Sequence, residues 1–303
     1  MKAETSIRPH TQLDELVPSR YAVKVGDIEV IVISDGVLLP PAESMATNAD
    51  TKSLNAWLDD RLLPHDTFGW ALNAVVVKTP KQTILIDSGL GEEYPDFPRA
   101  GHMIQRMEAA GVELGSVTDV VLTHMHFDHV GGLLAEGVKQ QLRRDLRVHL
   151  SAPEARFWKN PDFSKTAMPP ALADLARKAS LDFLTEYSSY LQLFEQETQV
   201  ADGVTVSLTG GHTPGHSVVR VESGNDKLMF GGDAIFPVSF DHPEWHNGFE
   251  HDPEEATRVR LRLMAELVAS GSWLVSTHMP FPSVGRVVSA GDLYRWVPVQ
   301  WDY

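Results

Sequence analysis

Residues 120–133, VVLTHMHFDHVGGL, constrain this chain more than any other stretch. An apolar β-forming run ends in three histidines and one aspartate within six residues, and a pair of glycines follows. The same form recurs. GVTVSLTGGHTPGH puts His212 just past a strand-like run, KLMFGGDA puts Asp233 past another, and WLVSTHMPFP puts His278 past a third. Polar groups at the carboxyl ends of strands are how α/β folds commonly gather reactive side chains. Whatever fold the chain adopts must bring these strand ends to one place.

Hydrophobic periodicity supplies the frame around them. YAVKVGDIEVIVISDG reads as two strands turning at Gly26 and Asp27, and NAVVVKTPKQTILIDSG as a second pair. Residues 101–111, GHMIQRMEAAG, have helical spacing and a closing glycine, and VTDVVLT then reads as a strand. Residues 153–199 turn mostly helical, an insertion expected either to cap the site or to form a dimer surface. GVTVSLTGG, SVVRVESGNDKLMFGGD and SWLVSTH return to strand character, with a helix in DPEEATRVRLRLMAELVASG. There Asp252 suits the N-cap, Pro253 the first turn and Gly271 the C-terminal stop. Hairpins among the crossovers favour an α/β sandwich of two sheets with outer helices over one doubly wound sheet. No Gly-rich dinucleotide motif or P-loop occurs. One domain over residues 1–303 is the expectation.

The chain has thirteen histidines and no cysteine. Disulfides, cysteine-held zinc, iron–sulfur clusters and thiol catalysis are therefore excluded, and any metal must be held by nitrogen and oxygen. Imidazole with carboxylate suits zinc, manganese, iron or cobalt at a catalytic centre. A formal net charge of -15 without a basic run argues against a nucleic-acid partner. No segment reaches the roughly 18 apolar residues of a membrane span. The first residues lack the apolar core of a secretory leader, so a cytoplasmic location is expected. His10, His65, His102, His149 and His251 stand in polar or helical contexts and are expected to be solvated. His216 is expected to pin its own loop.

His124, His126, Asp128 and His129, followed by His212, Asp233 and His278, resemble the motif set of the metallo-β-lactamase fold superfamily. The resemblance implies an αβ/βα four-layer sandwich with a two-metal site between its sheets. Position by position, it implies His124, His126 and His212 on one ion, Asp128, His129 and His278 on the other, and Asp233 bridging both. The implied cofactors are two divalent ions, zinc first, with manganese, cobalt or iron as alternatives. Asp87 in TILIDSG matches a position whose carboxylate supports a metal-bound histidine from behind, which fixes the ring tautomer. IEVIVISDGVLLPP, GHTPGHS, VSFDHP and the ending THMPFPSVGRVVSAGDLYRWVPVQWDY further resemble the methyl parathion hydrolase branch and its lactonase relatives. That likeness implies a dimetal esterase, phosphotriesterase or lactonase, and a homodimer. It also implies that Trp158 and Phe236 line an apolar pocket. Phe240, Trp245 and Phe281 join that expectation because they lie close in sequence to the ligands.

Two divalent ions about 3.5 to 4 Å apart can share a hydroxide and polarise a carbonyl or phosphoryl oxygen. The expected reaction is hydrolysis of a small, neutral, apolar lactone or carboxylic ester by a metal-bridging hydroxide, with Asp128 and Asp233 as the catalytic carboxylates. Phosphotriester hydrolysis is the alternative. A non-catalytic metal-binding protein is the contrasting class, and it would be expected to lack ligands that this sequence retains. No serine elbow of the GxSxG type is present.

Overall fold

In the computed structural model, which describes residues 17–92 and 94–301, the architecture follows from how each strand divides its side chains between two apolar layers. β1 (Arg20–Val25) and β2 (Ile28–Leu38) pair antiparallel through a turn at Gly26, whose φ of 55° glycine tolerates readily. Along β2, Val30 and Val32 face one layer while Ile31 and Ile33 face another, the two-residue period of a pleated strand. Because both faces are covered, β2 and β3 (Trp70–Lys78) are nearly continuous apolar runs in the sequence.

β4 (Thr83–Ile86), β5 (Asp119–Val121), β6 (Arg147–Ser151) and β7 (Leu191–Phe194) complete the first sheet, in the order β1-β2-β3-β4-β5-β6-β7. Pairing is antiparallel as far as β4 and parallel beyond it. The second sheet holds β8 (Glu197–Ala201), β9 (Val204–Leu208), β10 (Ser217–Ser223), β11 (Asp226–Phe230), β12 (Trp273–Val275), β13 (Gly285–Ala290) and β14 (Leu293–Pro298), in sequence order from one edge to the other. Among the described residues its only parallel pair is β11 with β12.

Val30, Val75, Ile86 and Val121 of the first sheet meet Val206, Val219, Phe230 and Val275 of the second in a central apolar layer. The outer face of the first sheet is covered by α2 (Met103–Ala109), α3 (Phe127–Leu134) and α6 (Pro170–Glu186), while α1 (Thr51–Asp60) and α4 (Val138–Gln141) add Leu58 and Val138 to the same layer. α7 (Pro253–Ser270) covers the second sheet through Val259, Leu263 and Leu267. Helix, sheet, sheet and helix form the sandwich the sequence pointed to. α7 also begins and ends where expected: Asp252 accepts a hydrogen bond from Glu255 N, and Gly271 takes a φ of 65°.

Residues 153–199 depart from expectation. α5 (Ala152–Phe157) and α6 are helical, but the segment then supplies β7, an edge of the first sheet, and the start of β8. The strong helical spacing of α6 hid two short strands in LQLFEQETQVA. Among the described residues no helix is long and apolar enough to cross a membrane.

Candidate metal centre

The ends of β5, β9, β11 and β12 converge at one edge of the sandwich. Thr123 to His126 follow β5, and His126 is the residue before α3 begins. Asp128 and His129 thus occupy the first turn of that helix rather than a turn leading into it. Two clusters result, His124, His126, His212 and Asp233 in one, and Asp128, His129 and His278 in the other. All seven side chains are buried, and within each cluster the candidate ligand atoms lie within 4.8 Å of one another. His126 Nδ1 is 2.9 Å from His124 Nε2 and 3.0 Å from His212 Nε2, so three ring nitrogens face one point. Asp233 stands between the clusters. Its Oδ2 is 2.9 Å from His278 Nε2 and 3.4 Å from His212 Nε2, and its Oδ1 is 3.3 Å from His129 Nε2.

The glycine pair after the motif has a steric cause. A Cβ on Gly131 or Gly132 would lie 1.9 Å from the carbonyl oxygen of Leu90 or Ser88 respectively, so α3 approaches the loop after β4 more closely than side chains permit. That approach lets Ser88 N and Oγ donate to His129 O at 2.8 Å each. It also brings His129 Nδ1 within 2.8 Å of Asp87 Oδ2. The same Asp87 oxygen accepts from Thr123 Oγ1 at 2.8 Å, and that hydroxyl lies 3.1 Å from His124 Nδ1. His278 Nδ1 lies 2.9 Å from Ala71 O. Each partner occupies the ring nitrogen that faces away from its cluster, leaving the other nitrogen directed inward.

Charge at the site favours cations. Burial, with the neighbouring His129 and His126, holds His124 well below the usual imidazole range. Burial with His212 and His251 does the same for His126, and burial with His216 and His251 for His212. These rings are neutral and keep lone pairs for coordination. Burial also opposes charge on His129 and His278. Asp233, Asp87 and Asp128 outweigh it at His129, and Asp233 and Asp128 at His278, raising both. The carboxylates that raise these two rings place negative charge where divalent ions would sit. His129 Nε2 and Asp233 Oδ1, 3.3 Å apart and facing the clusters, are buried without a well-formed hydrogen bond among the described residues. A nitrogen and oxygen donor set with such orphaned atoms fits two divalent ions.

His126, Asp128, Asp233 and His278 form part of the wall of a cavity of about 320 Å³. The rest of that wall is largely apolar, including Leu38, Leu39, Trp70, Phe97, Leu172 and Phe249, with Asp96 and Arg99 among its charged residues. The five aromatics expected there are placed elsewhere. Trp158 packs edge-on behind His126 with ring centroids 5.6 Å apart, and Phe236 stacks behind His278 at 5.3 Å. Phe240 lies in the layer under α7, Phe281 against the layer between the sheets, and Trp245 in the layer outside the first sheet with its ring stacked on His242. Nearness in sequence to a ligand does not decide on which side of it the chain continues.

Two further expectations are corrected. His149 is buried against Asp119 at 2.8 Å, and His251 is buried with Nε2 3.3 Å from His126 Nε2. His65 is exposed as expected, His102 is half-buried, and His10 lies outside the described residues. His216 does pin its loop: Nδ1 is 2.8 Å from Thr209 Oγ1, and Nε2 accepts from Asp233 N at 3.1 Å.

Sequence reasoning passed over three buried polar residues. Asp35 accepts from Leu90, Gly101 and Met103 N, holding the segment that contributes Phe97 to the cavity. Asn73 Nδ2 donates to Thr277 O and Met279 O at 2.8 Å each, bracketing His278. Glu154 gathers four donors around its carboxylate. The available signal was a lone carboxylate or amide amid apolar neighbours, which is costly to bury unpaired.

Known proteins share this fold. Residues 68–270 match a family model described as the metallo-beta-lactamase superfamily. The solved structure of AidC, a dizinc quorum-quenching lactonase in complex with a product, superposes with a TM-score of 0.86 at 25% identity, covering 94% of this chain and 99% of that one. "Probable metallo-hydrolase Rv2300c" of Mycobacterium tuberculosis is 25% identical over 190 residues, 56% of this chain and 59% of that protein. Human acyl-coenzyme A thioesterase MBLAC2 is 25% identical over 191 residues, 60% of this chain and 64% of that protein. The chain thus spans roughly three-fifths of the length of these two relatives.

Proposed function

Because the chain belongs to the metallo-beta-lactamase superfamily, we propose that it is a dinuclear hydrolase that opens lactones or cleaves carboxylic esters with an uncharged, apolar acyl part. The observation that carries this reading is the cavity, whose mostly apolar wall runs up to Asp128, Asp233 and His278. Along the apolar part of that wall, at Leu38, Leu39, Leu172 and Phe249, a charged acyl group would lose its hydration without a partner. In this reading His124, His126 and His212 hold one ion and Asp128, His129 and His278 the other, with Asp233 between them. Zinc is the proposed metal, and manganese, cobalt or iron could use the same donors. When bound, such ions supply Lewis acidity and a more acidic water.

The chain's own residues do the rest. Leu172 and Phe249 cradle the acyl chain, while Trp70 and Phe127 keep bulk water from the reacting carbonyl. Asp87 and the Ala71 carbonyl hold His129 and His278 at fixed ring angles. Asp128 and Asp233 place negative charge at the cavity wall, where the ions are required.

A neutral phosphotriester would suit the same wall and is the second reading. The deciding experiment is kcat/KM for one metal-loaded preparation on a lactone panel, aryl carboxylic esters and a dimethyl aryl phosphotriester. Lactone or ester values several decades above the phosphotriester are expected, and the reverse order would overturn the substrate assignment. We also read the chain as one hydrolase unit that forms a homodimer, the latter tested by sedimentation velocity.

A further inference from the structure

The three histidines of the first cluster come from two separate loops. The His124–His126 loop follows β5 in the first sheet, whereas the loop of His212 follows β9 in the second. Between them lies Glu154, fully buried in the first turn of α5. Its Oε1 accepts from Met125 N at 2.9 Å and from Trp158 Nε1 at 2.7 Å. Its Oε2 accepts from Thr213 Oγ1 at 2.6 Å and from Gly215 N at 2.9 Å. Met125 stands between His124 and His126, and Thr213 follows His212 directly. One carboxylate therefore grips both ligand loops at residues next to the ligands.

The surroundings fit this role. Ser151, which caps α5, donates to Gly215 O at 2.6 Å, so the Gly215 backbone is held through both its N–H and its carbonyl. A Cβ on Gly215 would lie 2.2 Å from Glu154 N, so only glycine permits the contact. From α6, Ser180 Oγ donates to Met125 O at 2.6 Å and holds the other side of that peptide. Trp158, one of the four donors, packs its ring against His126. All four groups around the carboxylate are donors, a pattern that an acceptor-only group satisfies and an amide does not.

We propose that Glu154 is the positioning residue of the first metal cluster, and that α5 and α6 serve as a clamp that sets the separation of His124 and His126 from His212. The inference rests on the dinuclear reading above and assigns a role to the helical part of residues 153–199. The second cluster has its own supports in Asn73 and the Ala71 carbonyl and shares Asp87 with His124 through Thr123, while the Glu154 carboxylate bonds to Met125, Trp158, Thr213 and Gly215 instead. Loss of Glu154 should therefore be felt by one cluster and not by the other.

The test is Co(II) titration of the metal-free protein, for wild type and Glu154→Gln, each also in a His278→Ala background that disables the second cluster. Wild type should bind two ions. Binding of fewer than two by wild type would overturn the dinuclear reading itself, whatever the variant does. Given two, Glu154→Gln should weaken the first-cluster ion ten- to a hundredfold, the range typical of removing an outer partner of a ligand, and leave the second-cluster ion within a few-fold of wild type. Equal affinities in wild type and variant, or equal weakening at both clusters, would overturn the clamp. If Glu154→Gln does not fold, Thr213→Val removes one of the four donors at little change in volume. It should weaken the first ion several-fold, and an unchanged first ion would count against the proposal.

Discussion

The two halves of the molecule build the candidate metal centre in different ways. The first sheet delivers His124, His126, Asp128 and His129 from one short stretch after β5, folded tightly by the close approach of α3 to the loop after β4. The second sheet delivers His212, Asp233 and His278 singly, from three strand ends far apart in sequence. A compact motif needs local backbone geometry. Dispersed ligands need the sheet itself as a ruler, with His216 bonded to Asp233 N and Asn73 reaching across from β3 to bracket His278. Neither half contains a complete candidate ligand set, so a metal held by both clusters would tie the two sheets together.

The largest expected effect comes from removing one ligand in each half. His126→Ala and His278→Ala should each reduce turnover by at least about a thousandfold with a near-native far-UV spectrum, because ligation is lost before the sandwich core. A variant with wild-type rates would break the assignment for its half. Asp233→Ala should lower bound metal from two ions toward one, read by elemental analysis, since its two oxygens face both clusters. Undiminished metal would remove it from the shared position.

Asp87→Asn should weaken the second cluster about ten- to a hundredfold in a metal titration, through His129. Unchanged affinity would reduce Asp87 to a packing role. A stability control lies in the first half, away from the centre. Burial alone would raise the Asp119 carboxyl. Hydrogen bonds from His149, Arg147, Gln82 and Thr118 outweigh it and hold that carboxyl well below its usual range. Folding thus favours the ionised form, and the stabilisation is present above about pH 4 and lost as pH falls through the acid range. Asp119→Asn should cost about 2 kcal/mol by urea unfolding at pH 7, less at pH 3, and leave ion binding unchanged. A gap that widens on acidification would reverse the sign and refute the account.

The smallest effects belong to the cavity wall. Leu38→Ala from the first half and Phe249→Ala from the second should alter relative rates among acyl chain lengths by a few-fold, with metal content unchanged. Equal loss on every substrate would point to packing instead.

How much of this was legible depends on the range of each signal. The hairpin at Gly26, the caps of α7 and the HxHxDH motif are local, and a strand period or cap carries its meaning within a few residues. β7 and β8 were missed because short strands next to a long amphipathic helix give too few residues to show their own period. The burial of His251 and the role of Glu154 were invisible because their partners, His126 and Thr213, come from other elements. The misplaced pocket aromatics share that cause.

The sequence alone determined which strands end in histidine or aspartate, that any metal donors are nitrogen and oxygen, and that two sheets would be layered between helices. Backbone period and side-chain chemistry are written residue by residue. Only the tertiary structure decided which wall faces the cavity, which carboxylate bonds to two loops at once, and how seven candidate ligands from two sheets divide into two clusters. Those are distances between residues remote in the chain, and they exist only once the apolar layers have packed.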